Sequence, residues 1–550
     1  MKHSLAFSLL ALCSACSVAE ELATCATPSA EHGNEESQIQ SQFVVKNLNI
    51  TTNPIFDEDD EEAIALHRFA NWLHINTKED VIAERLPFTI GDTIDGNDLA
   101  EAERIIRKQA YIRDAKIKYI AGCQITDPGE IQVQTWDNWS MIPTVSFGRK
   151  GGENKFSIGL KEDNLLGLGI RTRFKYNTDE QRSGYQLTLK SATPYLMPYS
   201  TLLLDYLDND DGNLINLEFD RPFYHARTER MYFASYLSDE KDVDIFQNGR
   251  VRNTFANQSH RYEIATGWQI DSNALHSQRI KVGLVDEESL FTPVFDKPFA
   301  NELLPQDRQF QYLWLGFESL ERDYRVLSDI YLIQQAEDIN LGWHYEAKLG
   351  IDFANNSGQQ GLAYHVEANV DKGWEVDNGL LLVSLAAQSI FNHINGDHYL
   401  LSAKAEYFKR YTELVGFYAR VAADNEKNPY LDFPLSIGDE TGVRGYPLQY
   451  QHGERSASAT LEARLYTGYN IYKLLDVGFA GFFDIGRAWN GQEAQLNESD
   501  QILSSIGVGA RLYSNRSSHR SVIHVDIVKP LTQSDSVDSW EWRLQVKQSF

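Results

Sequence analysis

Two periodicities divide this chain. From residue 141 to Phe550, apolar and polar residues alternate in run after run, broken by turns rich in Gly, Pro, Asn and Asp, which predicts successive β-strands. In one run Ala459, Leu461, Ala463 and Leu465 share a face, with Thr460, Glu462, Arg464 and Tyr466 on the other. A second puts Val477, Phe479, Phe483 and Ile485 outward, against Asp476, Ala480, Phe482 and Asp484. The last run sets Trp540, Trp542, Leu544, Val546 and Phe550 opposite Glu541, Arg543, Gln545, Lys547 and Ser549. At about 3.3 Å per residue and a tilt of about 40°, that run spans roughly 28 Å, close to the apolar band of a transmembrane barrel. Tryptophans at one end and a terminal Phe at the other fit its two aromatic girdles. A soluble β-sandwich also alternates, but gives no reason to end on Phe550.

Residues 43–140 follow another pattern. A strand over 44–50 places Val44, Leu48 and Ile50 on one face, and the acidic run from Asp57 to Glu62 suits the first turn of a helix. Ala63, Leu66, Ala70 and Leu73 follow at helical spacing, predicting the buried stripe of that helix. A second helix opens at Asp98 with Glu101 three residues on, and carries Leu99, Ala102, Ile106 and Ala110. Strands over 112–120 and 130–136 complete a β-α-α-β-β order, a compact α+β domain. Within the long β region, Thr193-Pro194-Tyr195 and Arg221-Pro222-Phe223 mark short turns, whereas 208–212 and 238–259 read as longer polar loops on the opposite side.

Composition then removes function classes. A net charge of −27 argues against nucleic acid as a partner. Beyond the N-terminus no run of about 18 apolar residues predicts a transmembrane helix. A barrel is compatible with that, because alternating strands keep the mean hydropathy low, here −0.41. Residues 1–19 read as an export signal, with Lys2 and His3 before an apolar core and Ser17-Val18-Ala19 as the cleavage site; 20–42 read as a flexible leader. Outside that signal only Cys25 and Cys123 remain, free to pair in an oxidising compartment. There is no G-x-S-x-G, H-E-x-x-H or P-loop, so no enzyme, cofactor or metal is predicted.

The candidate chemistry lies at Val443-Arg444-Gly445-Tyr446, in a stretch from Gly438 to Tyr450 too rich in Gly and polar residues for a regular strand. It precedes the two strands with polar faces described above. A cation in that loop is placed to meet acids on the inner wall of a barrel. The plainer reading is a solvated turn.

Together with Asn164-Leu165-Leu166-Gly167, Leu461-Glu462-Ala463-Arg464 and Phe482-Phe483-Asp484-Ile485-Gly486, these features resemble the BamA/TamA-type outer-membrane superfamily, the bacterial surface antigen family. The β-α-α-β-β module, with Gly91-Asp92 before its second helix, resembles one polypeptide-transport-associated (POTRA) repeat. The resemblance implies a mainly β fold: a 16-stranded antiparallel transmembrane barrel over 141–550, preceded by a periplasmic POTRA-like domain over 43–140. It implies that the V-R-G-Y loop folds back into the lumen, with Arg444 meeting Glu462 and Asp484. Expected partners are outer-membrane lipid, client polypeptides and accessory assembly proteins. Expected functions are insertion or translocation of proteins at the outer membrane; a two-partner-secretion-like exporter and a passive or structural barrel are the alternatives.

Overall fold

The computed structural model describes residues 42–57, 64–120, 130–150, 153–178, 182–273, 275–295, 297–298, 303–354, 361–439, 441–518 and 520–547. The export signal, nearly all of the leader, most of the acidic run, Cys25, Cys123 and Phe550 lie outside these residues.

The N-terminal domain contains β1 (Phe43–Val44), β2 (Asn47–Asn53), α1 (Ala65–Leu73), α2 (Glu79–Ala83), β3 (Thr93–Ile94), α3 (Gly96–Arg107), β4 (Ile112–Ile120) and β5 (Glu130–Asp137). Its main sheet has the order β2-β5-β4, with β2 parallel and β4 antiparallel to the central β5. Helix α3 starts earlier than the spacing predicts. Asp95 caps it by accepting from the backbone N–H groups of Asn97 and Asp98, while the Asp98 carboxylate accepts from Asp95 N–H at 2.9 Å. Leu99, Ala102 and Ile106 pack on the sheet as expected, joined by Val81 and Ile82 of α2.

Helix α1 departs from expectation. Of the predicted stripe it buries Ala70, half-buries Leu73 and leaves Leu66 exposed, with His67 buried instead, and the domain core is built by α2 and α3; Ala63 lies outside the described residues. Its polar side has partners: Asn71 exchanges hydrogen bonds with the Phe56 backbone, and His67 stacks on Phe56 and bonds the Tyr472 carbonyl oxygen at 2.8 Å.

The rest of the chain forms one antiparallel sheet of twenty strands that curls until the last, Glu541–Lys547, meets the first, Met141–Lys150. Among the described residues the pairing across that seam is Leu544 opposite Arg149. Twenty replaces the expected sixteen. The loop predicted at 238–259 is instead the facing ends of two long strands, Arg230–Gln247 and Arg250–Ser272, which lengthens those strands without adding to their number. The turn between them is Asn248-Gly249, both at positive φ, the left-handed conformation a two-residue hairpin requires. The expected contrast of short turns and long loops is reversed here as well. Turns 193–200 and 222–229 are the longer ones, because they reach the N-terminal domain: Tyr199 and Tyr224 stack on each other and donate to the Leu86 and Arg85 carbonyls.

Alternation sets the two faces. Leu315, Leu349, Leu461 and Val508 are exposed on the outside, while Glu318, Glu406, Glu462 and Arg464 are buried on the inside. With an even strand count the first strand enters and the last leaves at the same end, the end carrying the N-terminal domain.

Two segments enter the ring from opposite ends. The 428–454 connection folds in from the far end. The 322–343 connection carries a hairpin, Tyr324–Ser328 paired with Ala336–Asn340, at the N-terminal-domain end.

Candidate functional site

Arg444 is seven per cent exposed, and its guanidinium is fully engaged. Nε and one terminal nitrogen grip the Asp484 carboxylate at 2.6 and 2.7 Å, the planar fork that only arginine offers. The other terminal nitrogen donates to Glu462 at 2.8 Å. The guanidinium lies over the Phe482 ring, 3.5 Å from its centre. Glu462 and Asp484 sit where alternation places them, on inward positions of Arg455–Ile471 and Leu475–Trp489.

Neighbouring residues hold the loop against the wall. Gly445 adopts φ +87°, and a Cβ there would lie 2.9 Å from Val528. Gly486 admits Val443, which would otherwise meet a Cβ at 2.8 Å. Val443 and Tyr446 are fully buried, and the Tyr446 hydroxyl donates to the Ser504 carbonyl at 2.7 Å.

The charged centre is larger than the sequence indicates. Asp439, from the start of the same loop, pairs with Arg543 of the last strand at 2.7 Å and accepts from Gly445 N–H at 2.8 Å. Arg543 also reaches Asp526, which pairs with Arg511 at 2.6 Å. Arg464 donates to Glu462 at 3.2 Å. Four arginines thus face four carboxylates, all nearly inaccessible to solvent. The inward faces of the final strands carried the only sequence signal for Arg511, Asp526 and Arg543. Burial changes the energetics too: a solvated pair is worth about 0–1 kcal/mol, whereas breaking a buried pair costs about 3–5 kcal/mol because it strands a charge.

The hairpin at the other end has no counterpart in the sequence reading. Ile330 packs with Leu380, Phe408 and Tyr418, while Leu332 and Ile333 pack with Tyr466, Tyr513 and Val522. Tyr331 donates to Glu406 at 3.2 Å. The Glu337 carboxylate accepts from the N–H groups of Ile330, Tyr331 and Leu332; burial nonetheless pushes its pKa up to about 7. Asp338 receives a two-point grip from Arg107 of α3, at 2.8 and 3.1 Å, and Arg104 lies over the Tyr324 ring.

One residue links the two inserted segments. Arg464 holds Glu462, the partner of Arg444, and donates to the Ile330 carbonyl at 3.0 Å. A continuous set of polar contacts therefore runs from the V-R-G-Y loop through the hairpin to α3.

Trp540 and Trp542 project outward at the far end of the last strand, sixty and forty-eight per cent exposed. Among the described residues no group of three His, Cys, Asp or Glu side chains is placed to hold a metal.

No protein-family model and no curated protein matches the chain. Among solved structures it is similar to BamA from Haemophilus ducreyi lacking POTRA domains 1–3, at 11% identity over 92% of this chain and 84% of that one, with a TM-score of 0.40. CdiB from Acinetobacter baumannii gives 13% identity over 92% and 74%, with a TM-score of 0.46. The FrpB iron transporter from Neisseria meningitidis gives 9% identity over 80% and 88%, with a TM-score of 0.40.

Proposed function

We propose that this chain is an outer-membrane β-barrel of the BamA/TamA type that assists insertion of proteins into the outer membrane or their passage across it. The observation that carries the reading is the Arg444 fork: a V-R-G-Y loop folded into a ring of strands and gripped by inward acids on the two strands that follow. The apolar outside of the ring faces lipid, and the N-terminal domain, a single POTRA-like module, faces the periplasm. Its β4 is a sheet edge, where an extended client segment can add as a further strand by displacing Glu103 from Ile117 N–H and Arg107 from the Ala115 carbonyl.

The work is conformational; no step is catalytic. The seam between the first and last strands, paired at Leu544 and Arg149 among the described residues, is where the ring parts in this reading. The hairpin fills the periplasmic mouth and is tied to α3, so a client that shifts the N-terminal domain pulls on the hairpin through Arg107 and Asp338. A passive pore has no use for such a coupling. A two-partner exporter is the second reading, favoured by a mouth filled by a segment that can be withdrawn.

The test is depletion of the protein in cells, followed by a census of outer-membrane and secreted proteins. Loss of a defined client set, with unheated protein migrating apart from boiled protein on mild gels, supports the proposal. Unchanged clients together with steady ion conductance in planar bilayers would reverse it in favour of a pore.

A further inference from the structure

Helix α1 turns its apolar side away from the protein. Phe69 is fifty-one per cent exposed, Trp72 seventy-eight and Leu66 thirty-nine, and just beyond the helix Ile75 is fifty-three. Leu66, Phe69 and Trp72 share one side at helical spacing, with His67, Ala70 and Asn71 on the other side against the protein. A helix docked by its polar face leaves an apolar face that water covers poorly.

The location says what covers it. At one end α1 is bonded through His67 to the 472–474 turn, whose Tyr472 side chain is also exposed. Beyond its other end, Ile75 and Asn76 lie against Gly167, and Lys78 N–H donates to the Gly167 carbonyl at 3.0 Å. Leu165 and Leu166 of that second turn are exposed as well. The arc of ring between the two turns contains the seam of the first and last strands. Helix α1 thus lies at the rim of the barrel on the side that carries the seam.

We propose that α1 is a membrane-surface helix, its Leu66, Phe69, Trp72 and Ile75 side chains set into the headgroup and acyl boundary of the periplasmic leaflet. The inference rests on the outer-membrane reading. A short amphipathic helix with Trp and Phe on its apolar side has the chemistry of an interfacial anchor, and the indole is at home at that depth. Anchored there, α1 fixes the N-terminal domain against the rim and displaces lipid beside the seam.

The test uses the exported protein with Cys25 and Cys123 replaced by serine, in phosphatidylethanolamine/phosphatidylglycerol vesicles. Single variants Trp72→Cys, Leu461→Cys and Lys118→Cys carry an environment-sensitive fluorophore. Lipids with a nitroxide near the headgroup should quench the labels at 72 and 461 and spare the one at 118, on exposed β4. Adding Phe69→Asp and Trp72→Asp to a Leu66→Cys variant should abolish its lipid quenching while heat-dependent gel mobility persists. Quenching at 461 with the label at 72 open to aqueous iodide overturns the anchor. Shielding at 72 from both quenchers also overturns it, in favour of a protein or a second copy as the cover. Escape of the label at 461 from the lipid quencher would defeat the barrel assignment itself.

Discussion

The segments entering the ring from opposite ends are held by different physics. The V-R-G-Y loop is fixed by charge: four arginines and four carboxylates, nearly dry, with a bidentate grip at the centre. The hairpin of 324–340 is fixed mainly by apolar packing of Ile330, Leu332 and Ile333, plus a clamp to the N-terminal domain. A buried charge cluster resists partial withdrawal, because any intermediate strands a charge. Apolar contacts are lost in increments, roughly in proportion to area. The loop is therefore a fixed anchor and the hairpin the segment suited to movement.

The sharpest way to break this contrast is Arg444→Ala. It leaves Glu462 and Asp484 without their common cation and should cost about 3–5 kcal/mol. Insertion should persist while the loop becomes open to protease from outside intact cells and client delivery falls. Arg444→Lys should rescue poorly, since an ammonium cannot reproduce the fork. Unchanged protease resistance and delivery would make Arg444 a dispensable turn residue.

Ile333→Ala probes the other side, removing a side chain that is one per cent exposed. It should cost about 2–5 kcal/mol of hairpin docking. Conductance in planar bilayers should rise, with the loop still resistant to protease. A simultaneous loss of loop protection would show the two segments to be one unit, through Arg464.

Severing the clamp should have a smaller effect. Asp338→Ala forfeits charge-assisted hydrogen bonds worth about 1.5–3 kcal/mol. It should loosen the N-terminal domain in hydrogen exchange, and the swap of Arg107→Asp with Asp338→Arg should restore protection in part. Protection unaltered by either change would remove the proposed pull on the hairpin.

The weakest effect is that of pH. Burial raises the Glu337 carboxyl to about 7, so the docked hairpin binds a proton more tightly than the free one. That contribution is fully present below the ordinary carboxyl range and is lost as pH rises through about 7. Hairpin protection should decline from pH 6 to pH 8, and Glu337→Gln should flatten the profile. A decline that survives Glu337→Gln would assign it to another group.

Alternation alone placed Glu462 and Asp484 inward and Leu461 and Trp542 outward, because a strand repeats every two residues whatever it pairs with. Helical spacing found Leu99, Ala102 and Ile106 of α3 for the same local reason. The same spacing found Ala70 of α1 but put Leu66 on the buried side, since periodicity locates an apolar face without saying what covers it. Nothing local marks Asp439 as the partner of Arg543, or Asp338 as that of Arg107: each pair joins elements far apart in the chain. Strand length escaped too, because 238–259 is mostly polar and only pairing with its neighbours makes it strand. The sequence by itself determined which way side chains point within each strand and that a V-R-G-Y loop precedes two acid-bearing walls. Tertiary structure decided ring size, burial of the charges and the hairpin in the mouth, because these depend on which distant surfaces exclude water from one another.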